Sequence, residues 1–168
     1  MNSRTINVPT RIYGKTDEEY RAESLADSKG MTAVEVFKAL KRFERYGNIL
    51  VDEFTWGELR IDAILIDTEK HWIRGFEIKV SHSDFVNDEK WQLYSKFCSS
   101  LSIVCPWGLI EAKELDKPYG LLWISRNGTY EWQRRPKNFQ KRDCLAWQWQ
   151  YYRVVEKEFS RLWWVNKV

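Results

Sequence analysis

Behind Thr32-Ala33-Val34-Glu35, whose first and fourth residues form a capping box, apolar positions recur at helical spacing as Val36, Phe37, Leu40 and Phe43. The pattern predicts a helix over residues 32–46, stopped by Gly47-Asn48. Three strand-like runs follow at 49–55, 59–67 and 71–80, separated by Trp56-Gly57 and a short polar turn around Thr68-Glu69-Lys70. Ser83 or Asp84 is placed to cap a second helix reaching Phe97, with Phe85, Leu93, Tyr94 and Phe97 on its apolar side. An apolar strand over 101–105 ends at Pro106-Trp107-Gly108, and a short helix is expected over 109–115. Residues 120–125 and 129–133 read as a hairpin turned at Asn127-Gly128, and residues 147–164 as a final amphipathic helix. The polar stretch 1–28, with its Asp17-Glu18-Glu19 run, reads as a loose arm with room for one short helix. Helix, three strands, helix, strand, hairpin and helix make one mixed α/β domain.

Composition narrows the class without naming a task. A chain of 168 residues with 43% hydrophobic and 30% charged residues has enough core to fold unaided. No apolar run reaches membrane-spanning length and no leader-like stretch opens the chain, so a cytoplasmic protein without a membrane partner is expected. Cys98, Cys105 and Cys144 form no CxxC pair, which argues against a disulfide framework or a cysteine-rich zinc site.

Charge is unevenly spread. Residues 1–125 carry 17 Lys and Arg against 20 Asp and Glu, whereas residues 126–168 carry 10 against 4. That basic end also holds Trp132, Phe139 and several tryptophans further on, and basic groups interleaved with flat rings suit a polyanion with stackable bases. Arg134, Arg135, Lys137, Lys141 and Arg142 lie in an expected loop before the last helix, where packing explains them poorly.

The chemistry is concentrated elsewhere. Asp62, Glu77 and Lys79 lie inside the two most apolar strand runs, Ile61 to Ile66 and Gly75 to Val80. Unpaired buried carboxylates are costly, so these groups must be paired, coordinating a cation or lining a cleft. If the two strands form an antiparallel hairpin in which Asp67 meets Trp72, the ladder brings Asp62 opposite Glu77, and Lys79 shares that face. Two carboxylates without His or Cys nearby suit Mg²⁺ or Mn²⁺, and a cation so held can polarise a phosphodiester and acidify a bound water. A structural ion cluster in the hairpin, with Glu58 and Arg60 as competing partners, is the plainer alternative.

Asp62 followed by fourteen residues and then Glu77-Ile78-Lys79, within this order of elements, resembles the PD-(D/E)XK nuclease superfamily. Ile61 stands where the name has proline. The run Asp84-Phe85, Asp88, Lys90-Trp91 and Tyr94, with Pro106, Gly108 and Gly120-Leu121-Leu122 further on, is similar to the MmcB-like DNA repair group of that superfamily. The likeness spans about residues 32–125 and leaves out the arm and the basic extension, 126–168. It implies a restriction-endonuclease-like core of helix, three strands, helix and strand in a mixed sheet with flanking helices. It further implies Asp62 and Glu77 as metal ligands with the Ile78 carbonyl, Lys79 as the group assisting the water, and an added acidic residue on the first core helix. Glu35 is positioned for that role and equally for its capping box.

Lys90, Tyr94 and His82 are further candidates for touching nucleic acid, each open to a plainer reading as surface lysine, core ring or loop histidine. The expected activity is Mg²⁺- or Mn²⁺-dependent hydrolysis of DNA, more than RNA, with single-stranded, flapped or damaged substrates favoured. Two other classes stay open: a DNA- or protein-binding adaptor that does not cut, and an interaction protein or homodimer meeting through exposed tryptophans.

Overall fold

A computed structural model describes residues 5–44, 48–67, 69–70 and 72–139. The expected final helix, Lys141, Arg142, Cys144 and His71 lie outside the described residues. Seven strands form one sheet in the order β1-β7-β6-β5-β4-β3-β2. They are β1 (Ile6–Asn7), β2 (Asn48–Trp56), β3 (Leu59–Asp67), β4 (Trp72–Ile78), β5 (Ser100–Pro106), β6 (Gly120–Ile124) and β7 (Tyr130–Arg134). β2, β3 and β4 are an antiparallel meander, β4, β5 and β6 run parallel, and β6, β7 and β1 are antiparallel again.

The mixture follows from the connections. Short turns join the antiparallel neighbours, whereas parallel strands need crossovers, which the segments 79–99 and 107–119 supply. All seven residues of β5 are buried, as expected of a central strand covered on both faces. On one face Val36 and Leu40 of helix α2 (Ala33–Leu40) pack with Leu65, Phe76, Val104 and Leu122. On the other, Trp91, Tyr94 and Phe97 cover Ile64, Leu101, Ile103 and Leu121. Gly75 lets that second cover approach, since a Cβ there would lie 2.7 Å from both Cys98 Sγ and Ile61 Cδ1.

The capping box forms as expected, with Glu35 accepting from the Thr32 N–H and Thr32 Oγ1 from the Glu35 N–H. The helix it starts is shorter than periodicity predicts, giving way to a 3₁₀ turn at Lys41–Phe43. The expected helix to Phe97 is two pieces, α3 (His82–Asn87) and a 3₁₀ segment (Trp91–Lys96), broken where Asp88 bonds the Lys90 N–H. Its N-cap is Ser81 rather than Ser83 or Asp84. Instead of a helix over 109–115 there is a single 3₁₀ turn at Ala112–Glu114.

The loose arm is also corrected. Residues 17–27 form helix α1 (Asp17–Asp27) behind a second capping box, Thr16 with Glu19, and β1 extends the sheet by pairing with Glu131 and Tyr130. Buried Ile6, Tyr20 and Trp107 anchor the arm, and Arg21 reaches Glu131 at 3.0 Å.

Candidate active site

The β3–β4 register places Ala63 against Phe76 and Asp67 against Trp72. One step further, Asp62 and Glu77 are opposite in register, but the ladder opens there. Between β2 and β3 pairing also lapses at the same level, from Asp52–Ala63 to Phe54–Ile61, where Glu53 takes a positive φ of 44°. That conformation is uncommon for a residue with a side chain, and mid-strand it turns the chain out of the ladder. Asp62 thus sits between two loosened pairings. Its Oδ2 accepts the Ile78 N–H at 2.8 Å, replacing a ladder bond with a carboxylate.

Around this opening the sequence candidates converge. Glu77 and Lys79 are buried, and Lys79 Nζ stands 3.4 Å from Glu77 Oε1, 2.5 Å from Asp88 Oδ2 and 3.8 Å from Asp84 Oδ1. Glu77 Oε2 is buried with no hydrogen-bond partner. Burial, reinforced by the Asp62 charge, pushes the Glu77 carboxyl up to about 8. Asp62 is raised as well, chiefly by burial, against the pull of the Ile78 N–H and Lys79. Burial works against the Lys79 charge, yet Asp88, Glu77 and Asp84 outweigh it and hold the ammonium above its ordinary value. For Asp88, burial is outweighed by the Lys79 bond, so its carboxyl is lowered. Three carboxyl groups therefore surround one ammonium, and one oxygen of Glu77 is left over. Among the described residues no group of three or more His, Cys, Asp or Glu side chains is arranged to hold a metal ion.

The remaining candidates lie apart from this cluster. Glu35 belongs to a helix packed on the opposite face of the sheet, and its carboxylate binds Thr32 and, at 2.8 Å, Arg126 Nε, which together hold it down at about 2. Tyr94 is buried, not exposed to a ligand, because its ring packs in the core and its hydroxyl donates to the Arg60 carbonyl at 2.6 Å. Burial, with the Glu77, Asp88 and Asp62 carboxylates behind it, pushes that hydroxyl up to about 12. Lys90 is exposed beside Asp88. His82 is exposed, with Nε2 2.5 Å from Glu114 Oε2.

Arg134 is turned inward. Its guanidinium donates to the carbonyls of Tyr119, Ala112, Leu115 and Asp116, which ties down the loop before β6 and leaves little for phosphate. Phe139 likewise packs against Tyr119 in the core. Arg135 and Lys137 are exposed, and the Arg135 guanidinium lies 5.8 Å from the centre of the half-buried Trp132 ring. Asp88 was not singled out by sequence, although it is the nearest partner of Lys79. The signal was its place in the run Asp84-Phe85-x-x-Asp88, where both acids return to one lysine.

Comparison with known proteins adds a fold neighbour. The chain is similar to a solved protein of unknown function from Silicibacter pomeroyi, at 25% identity and a TM-score of 0.66, covering 80% of this chain and 88% of that one. No protein-family model and no curated protein matches the chain. Among the described residues no helix is long and apolar enough to cross a membrane.

Proposed function

We propose that this protein is a Mg²⁺- or Mn²⁺-dependent nuclease acting on DNA, with a restriction-endonuclease-like core and Asp62, Glu77 and Lys79 at its active site. The observation that carries the reading is the orphaned Glu77 Oε2, buried beside a second raised carboxyl. Buried polar atoms are almost always satisfied, and a carboxylate pair that is destabilised alone is stabilised by a divalent ion. Asp62, Glu77 and the Ile78 carbonyl would hold that ion; the carbonyl lies on the same side of β4 as the N–H that Asp62 accepts. Hard oxygen donors of this kind fit Mg²⁺ or Mn²⁺, which keep several waters and take few protein ligands.

Such an ion supplies Lewis-acid polarisation of a phosphodiester oxygen and a more acidic water. The chain's own contribution is electrostatic and positional. Lys79, kept charged by Asp88, faces the site with a fixed ammonium that offsets charge growing on the phosphoryl oxygens. Asp62, held by the Ile78 N–H, keeps one oxygen directed by the backbone. The apolar walls from Ile61 and Tyr94 lower the local dielectric, strengthening both effects. The run Asp84 to Tyr94 and the order of elements support membership of the MmcB-like group and a task in DNA repair.

A second reading, a DNA- or protein-binding adaptor that does not cut, is favoured by the 2.5 Å bond that ties Lys79 to Asp88 and by the lack, among the described residues, of a third side chain arranged to hold a metal ion. Labelled single-stranded, flapped and duplex DNA, and RNA, incubated with the protein and Mg²⁺ or Mn²⁺ separate the two. The nuclease reading expects metal-dependent cleavage abolished by Glu77→Ala and Lys79→Ala. Cleavage that survives both substitutions would sink it, and binding without cleavage would establish the adaptor.

A further inference from the structure

On the sheet face opposite Glu77, at the other end of β4, a groove of about 150 Å³ is lined by Trp72, Arg74, Ser100, Ser102, Trp132 and Arg135. Alternation puts Trp72, Arg74 and Phe76 on this face, and the register sets Ser100 beside Arg74 and Ser102 beside Phe76. Gly120 neighbours Ser102 and lacks a side chain where the chain doubles back, since a Cβ there would lie 2.7 Å from Pro136 Cδ. The Pro136 segment is thereby brought over the sheet to wall the groove.

Two features of the groove go unexplained by packing. Ser100 and Ser102 line the groove, and among the described residues neither hydroxyl forms a hydrogen bond. Both open onto the groove, where each can donate to or accept from the edge of a ligand. Arg74 and Arg135 have no acidic partner among the described residues; each guanidinium lies instead by a tryptophan, at 5.9 Å from the Trp72 ring and 5.8 Å from the Trp132 ring. The groove thus combines two aromatic walls, two unneutralised cations and two idle hydroxyls. A cavity near 150 Å³ admits one small planar ring system.

We propose that this groove binds one nucleotide unit, its base against Trp72 and Trp132, its phosphate on Arg74 and Arg135, and its base edge against the two serine hydroxyls. Stacking needs a flat ring, which excludes a bare anion, and paired guanidiniums need an anion, which excludes a neutral aromatic. The inference deepens the nucleic-acid reading given above but does not require cleavage. From Trp72 to Glu77 is about 17 Å along the strand, so a single strand reaching from one face to the other spans several nucleotides.

The test is fluorescence anisotropy of a labelled short oligothymidylate with the full chain in EDTA, which withholds divalent metal. Thymidine monophosphate and pyrophosphate serve as competitors. Arg74→Ala and Arg135→Ala are each expected to weaken binding about tenfold, and Trp132→Leu at least as much. Lys29→Ala, an equal charge change at a distant exposed site, is expected to change it less than twofold. Thermal melts verify that the variants fold. Competition by the mononucleotide assigns the groove to free nucleotides as well, whereas oligonucleotide binding without such competition assigns it to a unit within a strand; both uphold the proposal. No binding in EDTA, equal losses for Lys29→Ala and Arg74→Ala, or pyrophosphate competing as well as the nucleotide would overturn it. Cleavage with metal but no such binding would leave the nuclease reading standing alone.

Discussion

Replacing Glu77 by glutamine tests the electrostatic argument directly. A carboxyl that ionises near 4.5 in the unfolded chain and at about 8 in the fold binds its proton more tightly when folded. Folding is therefore favoured below the lower value, and that favour is lost as pH rises through the window up to the higher one. Because Glu77 is only 5% exposed, solvent screening takes away little of the effect. Between about pH 5 and about pH 8 the linkage relation gives a ceiling of roughly 4 kcal/mol lost by the native protein at this one site. Glu77→Gln has nothing to ionise, and its amide oxygen still accepts from Lys79. The expected result is a variant whose stability, by urea denaturation without metal, gains on the native protein by about 2–3 kcal/mol across that pH interval. Adding Mn²⁺ at about pH 8 should stabilise the native protein and leave the variant nearly unchanged. Parallel pH profiles for the two proteins would refute the raised carboxyl. Equal stabilisation of both by Mn²⁺ would refute its role as a ligand.

Asp88→Asn removes the nearest partner of Lys79 and is expected to lower stability by about 1–3 kcal/mol, read from denaturant midpoints, by leaving a buried ammonium less well paired. On the nuclease reading, cleavage by the same variant should acquire a basic limb at lower pH, since Asp88 helps keep the Lys79 proton in place. Arg134→Ala strips the donors from four carbonyls and should cost about 2–3 kcal/mol by thermal melting, while the salt dependence of DNA binding stays unchanged. A shallower salt slope would show that this arginine contacts phosphate after all. Gly75→Ala is expected to destabilise by about 1–3 kcal/mol, because Cys98, Ile61 and Leu101 crowd the added methyl group.

Local pattern determined much of this protein. Alternation and turn dipeptides specified β2 to β4 and the Asn127-Gly128 hairpin, and counting back from Asp67–Trp72 was enough to bring Asp62 level with Glu77. These features depend on neighbours in sequence, where the period of a strand and the chemistry of a tight turn act directly. The polar arm looked unfolded because its burial comes from a distant strand and from Trp107, which no local period reveals. The surroundings of Arg134 and Tyr94 were not legible in the sequence for the same reason: whether a charge or hydroxyl meets solvent or a carbonyl depends on which loop passes nearby. Only the tertiary arrangement decided that Glu77 keeps an unpaired oxygen, that Asp88 rather than Glu77 is the closest partner of Lys79, and that Glu35 lies across the sheet from both. Burial and electrostatics are sums over all surroundings, and residues far apart in the chain supply most of the terms.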